Sequence, residues 1–429
     1  MVGLVDGNNF YVSCERVIDR TLVGKPVAVL SNNDGCCVAM SPEFKALGIP
    51  RGTPYFQLKD REQALGLKFF SSNYELYGDI SRRVLMCLRE ESIEVEQYSI
   101  DEAFIYPPTT VLDDLIAYGG RLRQKVLEWV GIPCGVGFAS TKTLAKIANH
   151  IGKKRAGGVF VMPDDPTPIL EELPVEEVWG VGHRLGIRLH GCGVHTAEQF
   201  RQMDDADIRR IASVVAVRTA MELRGIPCVG ERDYDADPDS VSCSRSFGTP
   251  VTTRDDLVES LANFTAQAAV KLRQHGQVAS GCNIYAQIGT ACQNEFVGRT
   301  VAFPVPTDAT NEMLRTIRPE AEALFVPGTR YRKSGVVFFG LEKAGISRQQ
   351  DLFSPTVITQ SSKLYKAIDA LNAKLGKGTV RTGAEGLYKE SVSSRKGSLD
   401  TVKAPDWIMK REKLSQRATT RWDELICVR

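Results

Sequence analysis

Tyr98-Ser-Ile-Asp-Glu-Ala-Phe104 sets two adjacent carboxylates, Asp101 and Glu102, in an apolar frame. The preceding Ile93-Glu-Val-Glu-Gln-Tyr98 reads as a strand, and Ala103-Phe-Ile-Tyr106 reads as a second. Two short strands with an acid pair at their junction hold like charges together, and these repel unless a cation lies between them. A third acid, Asp6, ends the apolar run Met1-Val-Gly-Leu-Val5, which reads as a neighbouring strand. Three carboxylates on adjacent strand ends make a hard-oxygen site suited to Mg²⁺, and such sites handle phosphates. A solvated turn is the commoner fate of a lone Asp-Glu pair, so the reading depends on what surrounds it.

Outward from this stretch, strand and helix patterns alternate. Residues 73–91 carry apolar side chains at 76, 80, 84, 85 and 88, a helical stripe. Leu115, Leu122, Val126 and Trp129 mark a second helix, Cys134–Ala139 a strand, and Leu144, Ile147 and Ile151 a third helix beginning at Thr141. Gly157–Met162 closes the set as a strand. Within this order lies β-α-β-β-α-β, a ferredoxin-like unit. The residues between the first strand and the first long helix form an insertion, and Pro163-Asp-Asp-Pro-Thr-Pro168 reads as a linker. Short helices separated by glycines follow over 169–230. Strand-like and helix-like runs alternate again from Val241 to about Lys343, and a polar, basic tail comes last.

The 429 residues allow about three domains. With 43% hydrophobic and 25% charged residues, the chain has the composition of a globular protein. Its apolar runs are of strand length, and its start carries Asp6 and no basic leader, so no membrane association and a cytoplasmic location are expected. Eleven scattered cysteines without a Cys-x-x-Cys argue against a zinc site or a disulfide framework. Net charge is +2, unevenly spread. Residues 166–240 hold 8 basic against 14 acidic side chains, whereas 351–429 hold 15 against 9.

Four further segments bear on chemistry. A helix opening just after Asp6 would aim free N–H groups at the metal site, as a triphosphate requires, with Phe10 and Tyr11 under the sugar, where a ring excludes a 2′-hydroxyl. Lys142 and Lys146, four residues apart, could meet phosphates or merely face solvent. Val178-Trp-Gly-Val-Gly182 has the pattern of a helix–hairpin–helix, in which Gly180 and Gly182 shape a turn that holds a DNA phosphate. Gln349-Gln-Asp-Leu-Phe353 places an apolar pair in a polar stretch, either a docking peptide or a packing anchor.

Together these residues resemble the Y-family of translesion DNA polymerases, and within it the polymerase V type. The likeness extends to Ser31-Asn-Asn-Asp-Gly-Cys36, Phe70-Ser-Ser-Asn-Tyr-Glu-Leu-Tyr77, Thr141-Lys-Thr-Leu-Ala-Lys146 and Cys243-Ser-Arg-Ser-Phe-Gly248. The resemblance implies an α+β right-hand polymerase. Its palm would be residues 1–10 and 73–165, its inserted fingers 11–72 and its helical thumb 166–240. An α/β little finger over 241–348 and a partner-binding tail over 349–429 would follow. It implies two Mg²⁺ ions held by Asp6, Asp101, Glu102 and the Gly7 carbonyl, with Asp6, Asp101 and Glu102 catalytic. Phe10, Tyr11, Lys45 and Lys146 would bind the nucleotide. Pro42 and Lys45 stand where many relatives carry Tyr and Arg, and Lys keeps the charge but not the fork. Gly180, Gly182 and Arg245 would contact DNA, and Gln349, Leu352 and Phe353 would bind the β sliding clamp. The implied partners are primer-template DNA, dNTPs, a UmuD-type dimer and RecA, and the implied role is error-prone synthesis in the SOS response. A nucleotide cyclase palm and a non-catalytic DNA-binding scaffold are the competing readings.

Overall fold

The computed structural model describes all residues except 93, 231–236, 290–293, 346–357, 376–377, 387–406 and 417–429. The chain divides into two units, residues 1–234 together with the C-terminal segment from Glu412, and residues 235–411.

In the first unit the strands are β1 (Val2–Gly7), β2 (Val27–Leu30), β3 (Cys37–Met40), β4 (Lys68–Ser71), β5 (Val95–Gln97), β6 (Glu102–Ile105), β7 (Cys134–Ala139) and β8 (Val159–Val161). The principal helices are α1 (Phe10–Ile18), α2 (Pro42–Lys45), α3 (Tyr74–Glu91), α4 (Leu112–Val130) and α5 (Lys142–Lys154). One sheet runs β5-β6-β1-β7-β8 and a smaller one β3-β2-β4. Removing the edge strand β8 leaves the ferredoxin order, antiparallel throughout. The smaller sheet belongs to the insertion, where β2 pairs antiparallel with β3 and parallel with β4.

Alternation along the strands assigns the two faces of the larger sheet. Val5, Ala103 and Ile105 join the core beneath α3 and α4, whereas Val2, Leu4 and Phe104 join the core shared with α5 and the helices that follow. The α4 stripe is narrower than its periodicity suggests. Leu115, Leu122 and Val126 are buried, but Trp129 is 63% exposed, with the Lys125 ammonium 4.5 Å from its ring centre. Beyond β8 come α6 (Thr167–Glu172), α7 (His183–Gly191), α8 (Ala197–Gln202), α9 (Asp205–Ile211) and α10 (Val214–Leu223). Their inward faces, including Leu170, Leu189, Phe200 and Leu223, complete the second core.

The second unit is a four-stranded antiparallel sheet covered on one face by two helices. Its elements are β9 (Val241–Val251), α11 (Arg254–Gln274), β10 (Gln277–Gly289), β11 (Asn294–Thr307), α12 (Thr310–Ala323) and β12 (Tyr331–Lys343). The sheet order is β11-β10-β12-β9. A further helix spans Ile358–Leu375, and Trp407 is buried against Phe264 of α11.

The nine cysteines among the described residues are all unpaired, and six are buried. Burial holds the thiols of Cys37, Cys134 and Cys282 protonated, pushed up to about 11, 12 and 12 respectively.

Gly135 and Gly137 let α5 lie close on β7. A Cβ at Gly137 would overlap the Asn149 amide nitrogen and the Ala145 carbonyl oxygen, both backbone atoms that cannot rotate away. Gly137→Ala should therefore destabilise the first unit by about 3 kcal/mol, the upper end of overpacking costs. Urea denaturation followed by circular dichroism measures this, and a loss under about 1 kcal/mol would mean that α5 shifts freely on the sheet.

Candidate active site

The β1–β6 register sets Asp6 directly opposite Glu102, so the two side chains emerge on one face. Asp101 occupies the β5–β6 turn, where its carbonyl accepts from the Gly7 N–H at 2.9 Å. The Ser99 hydroxyl organises that turn. It donates to Asp101 Oδ1 at 2.6 Å and accepts from the Glu102 N–H at 3.1 Å. The three predicted carboxylates thus come from two neighbouring strands and the turn between β5 and β6.

The face carrying Asp6 and Glu102 is the one covered by α5, and the helix meets it with a stripe of lysines. Lys142 Nζ lies 2.5 Å from Glu96 on β5, Lys146 Nζ 2.6 Å from Glu102 on β6, and Lys153 Nζ 2.6 Å from Asp6 on β1. Positions 142, 146 and 153 fall within about 40° around a helix of 3.6 residues per turn. Each lysine therefore answers an acid on a successive strand. Lys142 is 5% exposed and also donates to the Gly230 carbonyl, so it neither meets phosphate nor faces solvent. Lys146 lies over the rings of Tyr98 and Trp179, at 4.4 and 5.3 Å from their centres.

Burial raises the Asp6 carboxyl to about 6. The Lys153 ammonium pulls it down, and the charges of Glu102 and Asp101 push it up further. Among the described residues no three His, Cys, Asp or Glu side chains converge as a ready-made metal cage. Two of the carboxylates are instead engaged by lysines. The donor set still fits a hard divalent cation. It offers oxygens only, its acids repel one another, and the neighbouring Asn8 Oδ1 is buried without a hydrogen-bond partner.

On the other side of Asp6 the chain turns through Asn9, at φ 46°, into α1, whose first turn has no side-chain cap. Here the two aromatic residues part company. Phe10 is 3% exposed and belongs to the sheet core, so it supports the turn and does not reach a sugar. Tyr11 is half-buried and stacks on Tyr77, with ring centres 4.5 Å apart and planes at 17°. Lys45 at the end of α2 donates to Asn9 Oδ1 at 2.6 Å. Its basicity is lowered by desolvation and by the charges of Lys153 and Arg51. Lys45, Arg51 and Lys153 therefore form a cationic group beside the start of α1. Arg51 and Lys153 were not anticipated from the sequence. Lys153 carried a readable signal, since it lies seven residues and two turns beyond Lys146.

The remaining expected contacts divide. Gly180 takes φ +92° and Gly182 caps α7, so the predicted glycine turn opens a helix as read. Arg245 lies on the helix-covered face of its sheet, the parity of Cys243 and Phe247. It donates to Gln267 at 3.0 Å and lies over the Phe264 ring. A direct DNA contact from Arg245 is thus corrected by the period of two along β9. The open face of that sheet instead carries Ser244, Ser246, Tyr285 and Lys333, with Phe296 58% exposed beside Tyr285. Gln349, Leu352 and Phe353 lie outside the described residues.

Comparison with known proteins bears on the family and the fold. Residues 5–150 match the model of the impB/mucB/samB family, residues 238–352 match that family's C-terminal domain, and residues 362–428 match a domain of unknown function. The chain is 38% identical to the protein UmuC of Salmonella typhimurium, over the full length of both. It is 37% identical to ImpB of the same organism, over 99% of each chain. With DNA polymerase IV 1 of Bacillus subtilis it shares 29% identity, covering 92% of this chain and 94% of that one. Among solved structures, a Y-family DNA polymerase chimera of Dbh and Dpo4 superposes with TM-score 0.63 at 19% identity, over 80% of this chain and 99% of that one. No described helix is long and apolar enough to cross a membrane.

The raised Asp6 carboxyl has a measurable consequence. The unfolded chain releases this proton near its ordinary value of 3.8 and the folded chain holds it to about 6. Without divalent metal, stability should therefore fall as pH rises through that window. Asp6→Asn should remove that fall, and Mg²⁺ at pH 7 should stabilise the wild type but not the variant. Denaturant titrations from about pH 4 to 7, with and without Mg²⁺, test both. Parallel curves for the two proteins would show that Asp6 titrates normally.

Proposed function

Because this chain belongs to the impB/mucB/samB family, Y-family DNA polymerases of the UmuC type, we propose that it carries out error-prone, template-directed nucleotidyl transfer from a dNTP to a primer 3′-hydroxyl. The observation that carries the site assignment is the register that sets Asp6 opposite Glu102, with Asp101 in the adjoining turn, beside an uncapped helix start. A nucleotide cyclase or a simple DNA-binding scaffold does not account for kinship with a DNA polymerase over 92% of the chain.

In this reading Asp6, Asp101, Glu102 and the Gly7 carbonyl would hold two Mg²⁺ ions. When bound, these activate the primer hydroxyl and neutralise charge on the triphosphate. Lys146 and Lys153, which neutralise Glu102 and Asp6, would be released toward the phosphates were cations to take over that role. Lys45 and the first N–H groups of α1 complete the anion site. Tyr11, stacked on Tyr77, presents its ring beneath the sugar and excludes a 2′-hydroxyl. The unit of residues 1–234 would comprise palm, fingers and thumb, and the second unit the little finger. The Gly180–Gly182 turn and the open sheet face bearing Tyr285 and Lys333 contact the duplex backbone, giving binding without sequence preference. The proposed setting is cytoplasmic SOS mutagenesis with a UmuD-type dimer and RecA. Gln349, Leu352 and Phe353 would tether the enzyme to the β sliding clamp.

Asp101→Ala or Glu102→Ala should lower primer extension by about 10²-fold or more while leaving duplex affinity nearly unchanged, because little phosphate contact is lost. Extension assays paired with DNA-binding titrations measure this, and wild-type extension by either variant would overturn the site.

Tyr11→Ala should open space for a 2′-hydroxyl. The rNTP/dNTP ratio of kcat/KM should then rise by about 10-fold or more, the scale of a relieved steric clash. An unchanged ratio would remove Tyr11 from sugar selection.

A further inference from the structure

The segment from Glu412 to Gln416 lies within the first unit, more than three hundred residues from the elements it touches. Lys413 makes two hydrogen bonds with Ser71 at the end of β4, one to its backbone and one to its side chain. Its N–H donates to Ser71 Oγ at 3.0 Å, and its carbonyl accepts from the Ser71 N–H at 3.0 Å. The Glu412 N–H donates to Asp34 at 2.8 Å, and the Lys413 ammonium pairs with Glu62 at 2.8 Å. Asn73, the N-cap of α3, donates to Ser415 Oγ at 3.0 Å and to the Gln416 carbonyl at 3.2 Å.

The Ser415 hydroxyl reaches deeper. It donates at 3.0 Å to Glu15 Oε1, the same oxygen that accepts from the Tyr77 hydroxyl at 2.6 Å. Glu15 is 1% exposed and Tyr77 fully buried. A carboxylate at such depth depends on its donors, and here both are hydroxyls. Burial accordingly raises Glu15 to about 7, while the Tyr77 and Ser415 hydrogen bonds lower it. The Tyr77 ring held by Glu15 is the one on which Tyr11 stacks.

We propose that the C-terminal segment Glu412–Gln416 positions the sugar-selecting face of the nucleotide site, through Ser415, Glu15 and Tyr77 to Tyr11. Ser415 and Glu15 are positioning residues in this scheme and touch no substrate. Seated, the segment fixes the Tyr77 ring and hence the plane of Tyr11. Unseated, it leaves Glu15 short of one donor and Tyr77 free to tilt, so a 2′-hydroxyl is excluded less well. A partner that grips the tail would thereby act on sugar choice from outside the site. The inference rests on Tyr11 acting as the sugar gate.

The test uses the full chain with primer-template, Mg²⁺, dNTPs and rNTPs, comparing Ser415→Asp, Ser415→Ala, Tyr11→Ala and the double variant Tyr11→Ala/Ser415→Asp. Ser415→Asp sets a second carboxylate against Glu15. It should raise the rNTP/dNTP ratio of kcat/KM by about 3- to 10-fold, mainly through KM, with Ser415→Ala moving it in the same direction but less. In the double variant the ratio should match that of Tyr11→Ala alone, since both changes act on one element. If Tyr11→Ala leaves the ratio unchanged, the sugar-gate reading fails and this inference falls with it. If Tyr11→Ala raises the ratio and neither Ser415 variant does, or if dNTP and rNTP use decline equally, the gate stands and the tail's positioning role is overturned. Should Ser415→Asp fail to fold, Ser415→Ala alone decides.

Discussion

The antiparallel pairing of β1 with β6 is the constraint from which the site follows. It places Asp6 opposite Glu102, an arrangement that like charges make costly across a sheet. Nothing in strand pairing compensates for that. Compensation comes from α5, whose stripe of Lys142, Lys146 and Lys153 answers Glu96, Glu102 and Asp6 across three strands. The helix can do so only because Gly135 and Gly137 let it lie almost on the backbone of β7. Site electrostatics and core packing are thus one problem here.

This arrangement also explains why a chain of near-neutral net charge can handle a polyanion. In the proposed site the lysines stand at the start of α1 and along α5, Lys45 held by Asn9 and Lys146 and Lys153 by carboxylates. Held lysines lose less rotamer freedom when a phosphate arrives than lysines waving in solvent. Net charge is therefore a poor guide to ligand class in this fold.

Much of the fold was legible because the relevant periods are short. Tyr98–Phe104 announced a hairpin with acids at its turn, the stripes at 76–88 and 115–126 announced helices, and the glycines at 180 and 182 announced a turn before α7. What escaped had a physical reason in each case. Phe10 and Tyr11 are neighbours, and a one-residue step of about 100° around a helix decides which is core and which is surface. Trp129 fits the α4 stripe by spacing, but in the last turn it is Val130 that enters the core, and the Trp129 ring is left to Lys125. Arg245 was misplaced because period two assigns it to the covered face, a parity visible only once Cys243 and Phe247 are known to be core. Lys153 extends the stripe by seven residues, a step that the four-residue spacing of Lys142 and Lys146 does not announce. The contacts of Ser415 with Glu15 and Asn73 have no local signal at all, being made across some 340 to 400 residues of chain.

The burial of the cysteines bears on the chemistry in which a damage-tolerant polymerase works. Peroxide attacks the thiolate and barely touches the thiol. Cys37, Cys134 and Cys282 sit in apolar surroundings that keep their protons at any physiological pH, so the core presents almost no nucleophilic sulfur to an oxidant. Cys192, just after α7, is the one exposed cysteine among the described residues. It lies on a helical turn remote in sequence from the carboxylates. Oxidation there would produce a surface adduct and leave the catalytic sheet intact. Among the described cysteines, Cys192 is the one most open to a thiol-reactive probe.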